Sequence, residues 1–249
     1  MKSKYKKVLL TGGSGNLGKA IQKSRSFSSL LAPNHRELDI TNSSAVEKYF
    51  DEHEIDAIIH CAALARISQC ENNVIQALET NILGTSNLVK AVLRRNEKIR
   101  FLSISTDGVY PGIDGKYKEG DATIPYNRYG WTKLGAECAV NLLSNFCIVR
   151  TNFFNSKDIK FDSSAVDIFT SKIPVEELAE AIAVLLESDF TGTINVGGKR
   201  ESDFHRYKQF KPDLKFCHRK DILKEIPFKI YADASMNTSL WKKIKSKRK

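Results

Sequence analysis

KVLLTGGSGNLG, Lys7 to Gly18, passes from an apolar run through four glycines into a helical pattern, and its reading decides the fold. Lys7 to Thr11 predicts a short buried strand, since an unbroken apolar run ending in turn residues suits a strand covered on both faces. Asn16 to Ser26 predicts the helix that follows. Between them Gly12, Gly15 and Gly18 make a GxxGxxG turn. Glycine there lets the backbone approach a pyrophosphate and lets helix and strand pack closely, while the helix N-terminus at Asn16 and Leu17 offers amide donors and positive potential. A glycine-rich turn alone needs no ligand. Its place directly after the first strand points to dinucleotide binding.

Strand and helix alternate outward from this stretch. Leu30 to Ala32 predicts a second strand ending at Pro33. Ser44 and Glu47 read as a capping box opening a helix with Val46, Tyr49 and Phe50 as its apolar stripe. Ala57 to Cys61 predicts a strand, Val74 to Val92 a long helix, Arg100 to Ser105 a strand, Tyr126 to Leu143 a helix and Phe146 to Arg150 a strand. This order predicts an α/β, doubly wound parallel sheet of the Rossmann kind. Such sheets bind ligands at the carboxyl ends of their strands, so Gly12, Asp39, Ala62, Thr106 and Arg150 are expected to converge. After Arg150 the pattern weakens to a helix at Pro174 to Glu187 and a strand at Thr193 to Val196. Residues 1–155 read as the dinucleotide-binding part, 156–241 as a small, shortened substrate-binding part, and 242–249 as a disordered basic tail.

Tyr129 and Lys133 lie four apart in a predicted helix, so their side chains share a face. A phenol titrates near pH 10 unaided, and an ammonium one turn away stabilises the phenolate. A hydroxyl from Ser105 or Thr106, at the end of a strand, can hold a carbonyl oxygen against that phenol. Any helix can carry such a pair as an exposed aromatic with a charged neighbour. The order gives it weight: glycine loop, Ala62 and Ala63 after one strand, hydroxyls after the next, then YxxxK. These are parts for reducing a ketone.

The segment after the second strand reads Asn34, His35, Arg36, Glu37. An NAD site usually puts an acid there, whereas Arg36 suits a 2′-phosphate, so NADPH is favoured over NADH. Asp39 has two readings, a turn cap and an adenine contact.

The net charge of +10 belongs to the ends. Lys2, Lys4, Lys6 and Lys7, with Lys242, Lys243, Lys245, Lys247, Arg248 and Lys249, hold ten of the 39 bases, which leaves the body with 29 bases against 29 acids. Charge clustered in tails is not a folded basic face, so neither nucleic acid nor membrane is expected as a partner. The five cysteines contain no CxxC and the five histidines no HxxxH, which argues against a disulfide framework and a metal. Cys61, Cys138 and Cys147 sit in apolar contexts and read as small core residues. No apolar run reaches membrane-span length, and the chain reads as cytoplasmic.

The chain resembles the extended short-chain dehydrogenase/reductases, and most closely the dTDP-4-dehydrorhamnose reductase group of sugar-nucleotide reductases. The likeness rests on TGGSGNLG, on RELDIT at Arg36 to Thr41, on CAA at Cys61 to Ala63 and on NILGTSNL at Asn81 to Leu88. It continues through STDGVYPG at Ser105 to Gly112 and NRYGWTKLGAE at Asn127 to Glu137. The resemblance implies that Thr106 polarises the substrate carbonyl, Tyr129 donates the proton, and Lys133 binds the nicotinamide ribose and lowers the tyrosine pKa. It also implies cofactor contacts from Gly12, Gly15, Asn16, Leu17, Gly18, Arg36, Asp39, Ile40, Ala62 and Ala63, and sugar contacts from Asp107, Val109, Tyr129 and Phe153. The implied partner is a nucleotide-diphosphate sugar, and the implied reaction is NADPH-dependent reduction of a 4-keto-6-deoxysugar; the resemblance leaves room for a homodimer. Gly108 stands where the group often has an aromatic, Phe153 where it often has tryptophan, and the expected lid between Asn155 and Pro174 is short. Two other readings stay open. One is a non-catalytic NADP-binding regulatory or scaffold subunit, resembling the regulatory subunit of methionine adenosyltransferase, and the other is a nucleotide-sugar epimerase.

Overall fold

Six parallel strands form the centre of the computed structural model, which describes residues 4–24, 26–27 and 29–247. They are β1 (Val8–Thr11), β2 (Leu30–Leu31), β3 (Ala57–His60), β4 (Arg100–Thr106), β5 (Phe146–Thr151) and the edge strand Gly192–Val196. Their order is β2-β1-β3-β4-β5 followed by the edge strand. Every residue of β1, β3 and β4 is buried, as the apolar runs require of strands covered on both faces.

Helices cover both faces: α1 (Asn16–Ser24), α2 (Ser43–Glu52), α3 (Ile67–Asn72), α4 (Val74–Ala77), α5 (Gly84–Arg95), α6 (Arg128–Val140) and α7 (Val175–Glu187). One core gathers Leu17 and Ile21 of α1 with Leu178, Ile182 and Leu185 of α7. The other joins Val46 and Phe50 of α2 to Leu88, Val89 and Val92 of α5. Each such side chain contributes about 1.5–3 kcal/mol on burial. β2 lies on one side of β1 and all later strands on the other. The sheet's topological switch point is therefore between β1 and β3, where a crevice opens at the strands' carboxyl ends.

The structure corrects several readings of the sequence. The long helix expected from Val74 is broken into α4, a π-helical turn at Leu78–Leu83 and α5. Asn42, not Ser44, caps α2, its side-chain oxygen accepting from Ala45 N at 3.0 Å, because the helix starts at Ser43; Glu47 is held by Arg94 and Arg95 at 2.9 and 2.6 Å. Cys138 is exposed, not in the core. α1 ends at Ser24, and Arg25 of the longer reading lies outside the described residues. Lys242 to Ser246, read as a disordered tail, belong to a helix, Ser239–Ser246, whose Trp241 is buried in the α1/α7 core. Lys2, Arg248 and Lys249 lie outside the described residues. Among the described residues no helix is long and apolar enough to cross a membrane.

Candidate active site

The glycine turn is built around two close backbone approaches. Gly12 adopts φ +73°, and a Cβ on it would lie 2.6 Å from Ala62 N at the end of β3. A Cβ on Gly18 would lie 2.3 Å from Gly12 O, so only glycine lets α1 start this close to the loop. Gly15 has room: the nearest atom to its Cβ would be Gly12 O at 3.4 Å. Gln22 ties the loop down, its Nε2 donating to Gly13 O at 2.7 Å.

β4 delivers Thr106 to the crevice and ends in a tight turn, Asp107–Val109. Gly108 N donates to Thr106 Oγ1 at 3.1 Å, and Thr106 Oγ1 donates to Asp107 Oδ1 at 3.2 Å. Asn127 caps α6, its Oδ1 accepting from Gly130 N at 2.8 Å. A Cβ on Gly130 would stand 2.3 Å from Gly108 O, so α6 docks directly on that turn and brings Tyr129 to Thr106. Behind them Glu137, one turn beyond Lys133, accepts from Arg150 Nη2 at 2.7 Å and from Ser105 Oγ. This buried network fixes β4, α6 and β5 relative to one another. Asn81, in the π turn, accepts from Leu64 N at 2.7 Å and donates to Thr132 Oγ1 at 2.8 Å, joining the loop after β3 to α6.

A cleft of about 680 Å³ collects Gly12, Gly15, Asn16, Leu17, Gly18, Ala63, Thr106, Asp107, Tyr129, Lys133 and Phe153. A second hollow of about 410 Å³ shares Gly12, Gly15, Cys61 and Ala63 with it and adds Asp39, Ile40, Ala62 and His35. Most residues singled out in the sequence thus line one continuous crevice. Three do not. Arg36 is exposed and does not line either hollow; its neighbour His35 does. Val109 is fully buried against Tyr110, Tyr117 and Met236, because the tight turn directs it into a small core and away from the cleft. Arg150, expected to converge here, is spent on Glu137 and Tyr110. Asp39 caps its turn, its Oδ1 accepting from Thr41 N and Oγ1 at 2.9 and 2.8 Å, and it also lines the second hollow.

Burial governs the protonation states. It holds the Tyr129 phenol above its usual range, opposed by the Thr106 hydroxyl and reinforced by the Asp107 carboxylate. Burial pulls Lys133 down to about 8 against the pull of Glu137. Burial raises Asp107 to about 6, with Asn152 and Lys172 acting the other way.

The Lys133 side chain is 4% exposed, lines the cleft and makes no hydrogen bond or ion pair among the described residues. A glycine cradle that a Cβ would fill, a helix N-terminus and an unpartnered ammonium together fit a dinucleotide's pyrophosphate and ribose hydroxyls. Tyr126, Asn152, Lys172, Tyr207 and Tyr231 also line the cleft. Sequence reading missed them because they carry no motif and are far apart along the chain. Among the described residues no group of histidines, cysteines and acids could hold a metal ion.

The family described as RmlD substrate binding domain matches residues 6–168. A dTDP-4-dehydrorhamnose reductase from Aggregatibacter actinomycetemcomitans is 35% identical over 152 residues, covering 59% of this chain and 51% of that protein. Methionine adenosyltransferase 2 subunit beta from Pongo abelii is 30% identical over 179 residues, covering 68% of this chain and 53% of that protein. This chain thus spans about half the length of the curated relatives it matches. A solved dTDP-4-dehydrorhamnose reductase from Bacillus anthracis in complex with NADP superposes with a TM-score of 0.84 at 25% identity, covering 97% of this chain and 92% of that one.

Proposed function

This chain belongs to the RmlD substrate binding domain family, and from that premise we propose that it is an NADPH-dependent reductase of a nucleotide-linked 4-keto-6-deoxysugar. The observation that carries the reading is the meeting of Thr106, Tyr129 and Lys133 with the glycine loop in one cleft. Relatives named dTDP-4-dehydrorhamnose reductase, one of them in complex with NADP, support it.

In this proposal the cofactor lies along the crevice, with its pyrophosphate at Gly12, Gly15, Asn16, Leu17 and Gly18 and its adenosine half beside Asp39, Ile40, Ala62 and Ala63. Bound NADPH supplies the hydride. Lys133 holds the nicotinamide ribose. Asp39 already spends Oδ1 on Thr41, which leaves it a poor grip for ribose hydroxyls and agrees with an NADP preference. The exposed Arg36 is the local cation for a 2′-phosphate, and its neighbour His35 lines the hollow beside it.

Thr106 Oγ1 hydrogen-bonds the substrate's carbonyl oxygen and orients it towards Tyr129. As negative charge develops on that oxygen, the Tyr129 phenol gives it a proton, and the phenolate left behind recovers one from solvent. A phenol held above its usual range is the correct starting form for this direction, because it enters every cycle protonated. An alkoxide is far more basic than a phenolate, so the transfer runs downhill even from a weakly acidic tyrosine. Positioning and preorganised hydrogen bonds then supply most of the rate. Asp107 and Phe153 contact the sugar, and residues 156–241 form most of the substrate part. The proposal includes a soluble, cytoplasmic protein and a homodimer.

Incubation with NADPH and dTDP-, UDP- and GDP-linked 4-keto-6-deoxyhexoses tests the reading. Stoichiometric NADPH oxidation with one of them is expected; none with any would overturn it. The relative named methionine adenosyltransferase 2 subunit beta favours a second reading, a cofactor-binding regulatory subunit. That reading predicts NADPH binding without consumption and a co-purifying enzyme.

A further inference from the structure

The chemistry above leaves one wall of the cleft without a role. Lys172 lines it, and Lys172 Nζ donates to Asp203 Oδ2 at 2.7 Å, each side chain 11% exposed. Asp203 is held from its other side, Oδ1 accepting from Thr170 Oγ1 at 2.9 Å, and does not itself line the cleft. The Lys172 ammonium stands 5.4 Å from the Tyr207 ring centre and 5.9 Å from that of Tyr231. Asp107 is close enough to feel its charge and accepts from Asn152 Nδ2 at 2.8 Å. The hydroxyls of Tyr126 and Tyr231, both on this wall, make no hydrogen bond among the described residues.

The charges decide what this wall can hold. The one ammonium is already matched by Asp203, and Asp107 adds a second carboxylate. The cleft's other cations come from elsewhere, Lys133 from α6 and Arg66 from the start of α3, so a carboxylate seated on this wall would lose its hydration and find no unbalanced cation within the wall in return, which is a costly exchange in a buried site. Neutral hydroxyls meet the opposite situation. Phenols, an amide and a carboxylate are free to exchange hydrogen bonds with them, and tyrosine rings present flat faces to a sugar's C–H groups.

We propose that the Lys172–Asp203 pair is a specificity device that fits this wall to an uncharged hydroxylated ring and rejects a ring bearing a carboxylate. This rests on the nucleotide-sugar reading of the cleft. Neutralising Asp203 alone leaves Lys172 as an unmatched cation facing the ligand, and a carboxylate then gains a partner. Removing both charges restores the balance.

The test is a pair of binding titrations on the full chain with NADP present, using dTDP-glucose and dTDP-glucuronate, which share the nucleotide and differ only in the acid group. The wild type is expected to prefer dTDP-glucose by about tenfold or more. Asp203→Asn should narrow that ratio at least several-fold or reverse it. The double variant Lys172→Gln/Asp203→Asn should return it to near the wild-type value. A general loosening of the wall would weaken both ligands together and leave the ratio alone, so the ratio reports charge and not folding. An unchanged ratio in Asp203→Asn, or a double variant that stays as permissive as the single one, would overturn the inference while leaving the nucleotide-sugar reading intact. Failure of the wild type to bind either ligand would overturn both.

Discussion

In the proposed reaction Tyr129 gives the proton and Lys133 holds the cofactor's ribose. The phenol, raised by burial, stays protonated throughout the neutral range, and the lysine answers to Glu137 and to its own burial. Tyr129→Phe should therefore lower kcat by about 10²–10⁴ while leaving the NADPH Kd nearly unchanged, measured by steady-state kinetics and fluorescence titration. A Kd that weakens in parallel would assign the tyrosine to binding and not to proton transfer. Lys133 predicts a pH signature. Its ammonium is lost as pH rises through about 8, so NADPH affinity should fall by about tenfold between pH 7 and pH 9, and Lys133→Met should flatten that slope. Stability runs the other way. The unfolded chain holds this proton more tightly than the folded one, so the buried ammonium costs stability below pH about 8, and the cost fades as pH rises beyond it towards the ordinary lysine value.

At the scale of elements, the loop and its helix separate packing from binding. Gly18→Ala would place a methyl 2.3 Å from Gly12 O and must shift backbone. It should cost at least about 1–3 kcal/mol in urea unfolding. Gly15→Ala meets only ordinary contact at 3.4 Å and should stay within about 0.5 kcal/mol of wild type, yet weaken NADPH binding by crowding the pyrophosphate. Equal destabilisation of the two variants would contradict this division. These elements were legible in the sequence because apolar runs and glycine punctuation are local signals. The boundaries of β1, β3, β4 and β5 fall within one residue of those read from pattern alone. The break at Leu78–Leu83 was not legible, because helical spacing persists through it. Asn81 bonds to Leu64 and Thr132 across that turn, and those partners are supplied by the fold.

At the scale of the whole molecule, the segments after β5 complete one wall of the cleft and finish the core. Lys172, Tyr207 and Tyr231 reach one wall from three separate segments, and no spacing rule links them to Asp107 or Tyr126. Val109 was misassigned for the same kind of reason, since a motif gives a residue's place in the chain but not the side to which a turn directs it. The basic end hid a structural residue: Trp241, 7% exposed, packs into the core between α1 and α7. Trp241→Ala should cost about 3–5 kcal/mol by urea denaturation, and a loss below about 1 kcal/mol would show that the last helix is dispensable.

The most direct measurement is NADPH oxidation in a single turnover with excess protein over dTDP-4-dehydrorhamnose. The proposed chemistry predicts one NADPH consumed per keto group, with the hydride recovered on the reduced carbon of the sugar. Tight NADPH binding with no oxidation in the presence of bound keto sugar would contradict it.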